Sequence, residues 1–289
     1  DEHICSELDL DYLASTPSKY FIVNIEFTNL RATTHITHPL SYSKTYPRNN
    51  TALVDNGRVV TAEFTTTTIC ELDWLVIRKY YVWDSIKINY CYTGNKNYLP
   101  TLFVKSILEL YAKKTSLKKV EGMEREYMVA KNMTNSSYGM SVTDPVKDEI
   151  ILDNDDEDKP FHAVASNLAE ALEKLNHSHN RFLYYLWGVW TTAWCRYELY
   201  QAIEEFGDDF VYCDTDSTKG LNPDKHTPWI ERENAKIMEL IRKSAEYHRL
   251  PISLYCPKSN KGKEYPIGLW DYEGTYTRFK AMGSKRYLI

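Results

Sequence analysis

Hydrophobic and polar positions change their period along this chain. From Tyr20 to about Tyr98 they follow strand logic: FIVNIEFTNL, RVVTAEFTTTTICELDWLVI and DSIKINYCYTG are dense in β-branched and aromatic residues and broken by Pro, Gly and Asn. A β-rich module is expected there. At Pro100 the period lengthens. PTLFVKSILELYAKKT sets Phe103, Ile107, Leu110 and Tyr111 at helical spacing, behind a proline placed where a first helical turn accepts it. A second helix, roughly Glu121 to Thr134, follows SLKKV, so the two make a helical hairpin. Farther on, Trp190 to Phe206 reads as a helix stopped by Gly207, leading into the short apolar strand FVYCD. A later helix beginning near Thr227-Pro228 turns Ile230, Ile237, Ile241 and Ala245 to one face and ends before Pro251. This mixture of segregated strands and helices predicts an α+β fold.

Composition narrows the class. A chain of 289 residues with 43% apolar content has room for about two domains with real cores. The six cysteines are scattered, with no C-x-x-C pair and no histidine at zinc spacing, so neither a disulfide framework nor a structural zinc is expected. No apolar run approaches membrane-spanning length, and the first residues, DEHICSELDLD, are acidic where a signal peptide is basic. The expectation is a protein of a reducing cytoplasm with no membrane partner. A net charge of −5 argues against binding nucleic acid with the whole surface. Local charge differs: residues 104 to 135 carry seven Lys or Arg against four Glu, and residues 261 to 287 carry six against three acidic residues. Those segments suit phosphate. KDEIILDNDDEDK, at 147 to 159, holds seven carboxylates in thirteen positions and reads as a solvated loop rather than a metal site.

The chemistry concentrates in two motifs. Phe210-Val211-Tyr212-Cys213-Asp214-Thr215-Asp216-Ser217 is an apolar strand running into carboxylates at i and i+2, which project to one side and on a hairpin tip can reach divalent ions. An isolated D-T-D is more often a plain Asp-rich turn. Lys131-Asn132-Met133-Thr134-Asn135-Ser136-Ser137-Tyr138-Gly139 supplies the second motif. At about 100° per residue, Lys131, Asn135 and Tyr138 share one helical face. A cation, an amide and a flat aromatic together suit a nucleoside triphosphate, whereas singly they would read as a solvated lysine beside a core tyrosine.

In order and spacing, K-x-x-x-N-S-x-Y-G followed by Y-x-D-T-D-S resembles motifs B and C of the B-family DNA polymerases. Thr192-Ala193-Trp194-Cys195-Arg196 is similar to the T-x-x-A/G-R element of the bacteriophage protein-primed branch, with Cys195 where a smaller residue is usual, and Lys285-Arg286-Tyr287 is similar to its K-x-Y element. The resemblance covers most of the chain from about Tyr20 and implies an antiparallel palm sheet with packed helices, helical-hairpin fingers and a β-rich insertion. It implies that Asp214 and Asp216 hold magnesium, two ions in the complete enzyme. Lys131 and Lys119 would meet the incoming deoxynucleoside triphosphate, and Asn135 and Tyr138 would line its pocket. Thr192, Arg196, Lys285 and Tyr287 would hold the DNA primer-template. Tyr127 stands one turn before Lys131 where such enzymes can carry a basic residue, a charge that Arg125 can replace.

The implied division is residues 1–98 as an insertion contacting a terminal (priming) protein, 99–139 as fingers, 140–187 as a second insertion with the acidic loop, and 188–289 as palm. The family's D-x-x-S-x-Y-P element is not found. Asp11 to Pro17 has the right residue types at the wrong spacing, so Asp11 is set aside. The expectation is a catalytic-core fragment, inactive alone for want of one metal-binding aspartate and the thumb, that functions in phage or mobile-element DNA replication in a bacterial cytoplasm. The competing reading is a catalytically incomplete module that binds DNA or terminal protein.

Overall fold

The computed structural model describes residues 6–46, 51–144, 146, 148–152, 161–178, 184–283 and 285–289. Much of the acidic stretch at 147–159 lies outside them.

The long strand β1 (Lys19–Ala32) organises the first part of the chain. Its alternation puts Phe21, Val23, Ile25 and Phe27 fully inside, as period-2 patterning dictates. Around it lie β2 (Thr45–Tyr46), β3 (Leu53–Asp55), β4 (Arg58–Cys70), β5 (Tyr81–Val82) and β6 (Ser85–Asn95). β4 and β6 flank β1 antiparallel, β5 pairs with its end, and β2 and β3 pair with β4. Helices α1 (Glu7–Ser15) and α2 (Glu71–Tyr80) close the buried face, adding Leu10, Leu13, Trp74 and Ile77 to one cluster. Each such side chain is worth about 1.5–3 kcal/mol when buried.

α2 corrects the sequence reading, in which ELDWLVI continued a strand. The turn to helix comes directly at Cys70, whose backbone N–H bonds back to Asp73 at 3.4 Å. From there Leu72, Val76 and Trp74, Ile77 are buried at helical rather than alternating spacing. α1 was not anticipated either. Its Ser6 and Asp9 form a reciprocal capping box, and Asp11 accepts from Trp74 Nε1 and Arg78 Nη2 at 2.8 and 3.0 Å, a structural role.

The helical hairpin is α3 (Thr101–Leu117) and α4 (Glu124–Ser141). α4 runs to Ser141, farther than expected, so the whole Lys131 to Tyr138 motif is helical. On α3 the buried positions are Leu108 and Thr115, flanked by half-buried Val104 and Tyr111. The predicted positions Phe103, Ile107, Leu110 and Tyr111 are all half-buried, Phe103 against Trp187, and the deepest contact lies beside them because α3 rests on a helical pair farther along: Leu108 packs with Ile241, Ala245 and Tyr255. After α4 come the hairpin β7 (Glu149–Leu152) and β8 (Phe161–Val164), then α5 (Leu168–His177).

α6 (Tyr185–Phe206) ends at Gly207, where φ of 47° places the chain in the left-handed region open to glycine. It leads into the hairpin β9 (Phe210–Asp214) and β10 (Ser217–Gly220). α7 (Pro223–His248) starts one turn before the predicted point, with Pro223 at its first position and Pro228 inside it. α8 (Ile252–Tyr255) and the small hairpin β11 (Lys280–Ala281) and β12 (Tyr287–Leu288) complete an α+β architecture. Among the described residues, no helix is long and apolar enough to cross a membrane.

Candidate active site

The β9–β10 turn carries the paired carboxylates at its tip. Asp214 ends β9, Thr215 takes φ of 55°, and the Asp216 N–H closes back on the Asp214 carbonyl at 2.6 Å. A left-handed Thr215 reverses the chain in two residues, so Asp214 and Asp216 emerge from one tight turn instead of successive positions of an extended strand. The Thr215 hydroxyl also donates to Asp214 Oδ1 at 2.9 Å.

The C-terminal segment is drawn onto this turn. Lys285 Nζ lies 2.8 and 3.1 Å from the two Asp214 oxygens, and the Lys285 backbone N–H donates to the Tyr212 hydroxyl at 3.0 Å. Tyr287 packs with Tyr212 and Phe279, and the Lys219 ammonium stands 5.4 Å from the centre of the Tyr287 ring. The hydrogen bond from Lys285, then that from Thr215, holds the Asp214 carboxyl below its ordinary range, and the same ion pair raises the Lys285 ammonium. Lys285 sits in the turn before β12 at φ of 57°, and Tyr287 lies on β12 itself. The two still meet at one place, because the lysine head reaches Asp214 while the tyrosine ring covers Tyr212.

The helical hairpin is linked to this turn through one lysine, Lys114 of α3, which feels the charge of Asp216. Lys131, Asn135 and Tyr138 are exposed along α4. Lys119 is exposed in the loop between α3 and α4 at φ of 60°. A lysine not singled out in the sequence, the half-buried Lys114 of α3, lies within electrostatic reach of Lys118, Lys131 and Asp216. Burial, then Lys118 and Lys131, lowers its pKa, while Asp216 opposes them. The local excess of basic residues pointed to this segment but could not say which lysine turns inward.

α6 supplies the wall. Cys195 is close enough to Asp216 to feel its charge. Thr192 bonds back to the Gly188 and Val189 carbonyls at 3.2 and 3.0 Å. Arg196 makes a two-pronged contact with Asp73 at the start of α2, Nε to Oδ1 at 2.9 Å and Nη2 to Oδ2 at 3.1 Å. Asp73 thus serves both the helix start and the arginine. Two residues earlier Glu71, its side chain 1% exposed, accepts from Trp190 Nε1 at 2.8 Å and pairs with Lys96 at 3.0 Å. α4 can approach α6 because position 188 is glycine: a Cβ there would meet Val142 Cγ1 at 2.2 Å and Ser141 Oγ at 2.5 Å. None of these long-range partners had a sequence signal beyond its residue type.

The donor chemistry fits magnesium in kind. The turn offers oxygen ligands only, which hard divalent ions prefer, and it already attracts a cationic ammonium. Among the described residues, no three histidine, cysteine or carboxylate side chains cluster tightly enough to hold a metal by themselves.

No family model matches the sequence, and neither does any curated protein. Solved structures do match in shape. A Phi29 DNA polymerase complexed with primer-template DNA aligns at a TM-score of 0.50 and 20% identity, over 70% of this chain and 32% of that one. A ternary complex of the same polymerase with incoming nucleotide substrates gives 0.48 at 20% identity, over 69% and 31%. The chain spans about a third of the length of those polymerase chains, and over the aligned part it has a fold like theirs.

Proposed function

We propose that this chain is a nucleotide- and primer-handling part of a DNA-directed DNA polymerase, the protein-primed kind its motifs resemble. One observation carries the reading: Lys285 near the C-terminus caps Asp214, while Lys114 of α3 lies within electrostatic reach of both Asp216 and Lys131 of α4. Cations around carboxylates suit a polyanionic substrate whose charge is shared with divalent ions.

Asp214 and Asp216 would hold magnesium, which supplies charge neutralisation of the triphosphate and activation of the primer 3′-hydroxyl. The protein's own part is positioning. Lys131 and Lys114 attract the triphosphate, with Lys119 at the loop above them. Asn135 and Tyr138 flank base and sugar from the face they share with Lys131. Tyr287 and the Lys285 region hold the primer strand, and Thr192 and Arg196 stand along the α6 wall toward the template. The β-rich first part would contact a terminal protein. Phosphoryl transfer depends almost wholly on such positioning and charge, and two carboxylates from one turn leave two ions short of a bridging ligand. The chain alone is therefore expected to bind substrates without extending a primer.

The test has two arms. Deoxynucleotide binding to the chain in magnesium, followed by fluorescence, should weaken on Lys131→Ala by about 2 kcal/mol, the scale of a charge-assisted contact. Primer extension should be absent for the chain and present in a version extended upstream through a D-x-x-S-x-Y-P element and downstream through a thumb, then abolished there by Asp216→Asn. Unchanged nucleotide affinity in the first arm, or full activity of the Asp216 variant in the second, would refute the assignment. The second reading, a module that binds DNA or priming protein without catalysis, is favoured by the engagement of Arg196 with Asp73. It predicts duplex binding with no effect of Lys131→Ala on nucleotide.

A further inference from the structure

The Lys285 contact sets two duties of one residue against each other. On the reading above, Asp214 takes a divalent ion and Lys285 takes the primer strand. In the structure the Lys285 ammonium covers both Asp214 oxygens, at 2.8 and 3.1 Å, the atoms an ion would use. Lysine and ion cannot both hold that carboxylate at full strength. The backbone of Lys285 is fixed independently of its head. Its N–H is tied to the Tyr212 hydroxyl at 3.0 Å, and Tyr287 two residues on is packed against Tyr212 and Phe279. The side chain is 68% exposed, so its flexible stem can swing about that anchor without uncovering a core.

We propose that Lys285 is an exchangeable counter-cation: it neutralises Asp214 until a divalent ion displaces it, and the displaced ammonium then serves the primer phosphate. The inference rests on Asp214 and Asp216 being the metal site and adds a coupling between two ligands. A divalent ion outcompetes a single ammonium for a carboxylate by charge. Duplex DNA repays the displacement by giving the ammonium a new anion. Each ligand therefore raises the affinity of the other, and by thermodynamic necessity by the same factor. Lys219 stands over the Tyr276 and Tyr287 rings at 5.5 and 5.4 Å, and its charge also reaches Asp214, but Lys285 alone makes the direct contacts with both carboxylate oxygens among the described residues.

The experiment uses the whole chain, with manganese as the spectroscopic divalent ion. Free Mn2+ is titrated by electron paramagnetic resonance against wild type, Lys285→Met, Lys285→Arg and Asp214→Asn. The last variant separates binding at the turn from binding to the acidic stretch between Asp148 and Asp158. Affinity for a labelled primer-template duplex is then measured by anisotropy with and without Mn2+. Without DNA, Lys285→Met should bind the Asp214-dependent Mn2+ about fivefold tighter than wild type or more, the lower range of ordinary coupling. Mn2+ should strengthen duplex binding by a similar factor in wild type and Lys285→Arg, and not in Lys285→Met. If wild type binds Mn2+ through Asp214 but Lys285→Met binds it no better, the exchange is wrong while the metal site stands. If Asp214→Asn binds as wild type does, or no protein binds at all, the metal-site reading itself fails and the exchange with it.

Discussion

Glu71 is the residue whose removal should most damage the junction between the β-rich part and the α6 wall. Its carboxylate is 1% exposed and receives the Trp190 indole N–H at 2.8 Å and the Lys96 ammonium at 3.0 Å, with a longer contact from the Phe21 N–H at 3.4 Å. Those donors come from α6, the segment after β6, and β1. Glu71→Ala leaves the indole N–H without its acceptor, a cost of about 1–3 kcal/mol. It also breaks a buried ion pair, for which about 3–5 kcal/mol is usual. Lys96 is 31% exposed and recovers water, which cuts the ion-pair loss to about 1 kcal/mol and places the total at about 3 kcal/mol. Glu71→Gln keeps an oxygen for the indole and loses only the attraction to Lys96, so about 1 kcal/mol is expected. Urea unfolding followed by circular dichroism gives both values. Thermal scans should show a fall of about 5 °C for the alanine variant at the usual scale for a chain of this size. If alanine costs under about 1 kcal/mol, or glutamine costs as much as alanine, the indole bond is not what holds the junction.

Three further outcomes follow from the geometry. Lys114→Ala should weaken nucleotide binding as Lys131→Ala does, and the double variant should lose less than the sum, because the two lysines act on the same anion; additive losses in a fluorescence titration would place them at separate sites. Gly188→Ala should destabilise by about 1–3 kcal/mol, since the new methyl meets Ser141 and Val142 where α4 abuts α6, and an unchanged urea midpoint would show that α4 can shift away. Asp209 is held at about 2 by Lys225, then Asn222, with His226 adding a further hydrogen bond. A carboxyl whose pKa is depressed on folding adds stability that is present above the unfolded value of 3.8 and is lost as pH falls toward 2. The difference in Tm between wild type and Asp209→Asn should therefore shrink between pH 5 and 2, and a gap constant across that window would contradict the assignment.

What the sequence alone determined was local. Helix α3 after Pro100, the stop of α6 at Gly207 and the strand running into Asp214 and Asp216 each depend on neighbours within a few residues, so periodicity and turn chemistry reveal them. The shared face of Lys131, Asn135 and Tyr138 follows from helical spacing in the same way. The start of α2 was missed because strand passes into helix at Cys70 with no Gly, Pro or loop between them, and Cys70, Leu72 and Trp74 alternating with Glu71 and Asp73 read equally well as a continuing strand. The tertiary structure decided which charges meet. Lys285 reaches Asp214 across 71 positions, Arg196 reaches Asp73 across 123, and Trp190 reaches Glu71 across 119. Lys114 differs from its exposed neighbour Lys113 in being half-buried, within electrostatic reach of Asp216, a difference no local pattern marks. Pairing over such distances depends on how whole elements stack, and no local pattern in a single sequence encodes that stacking.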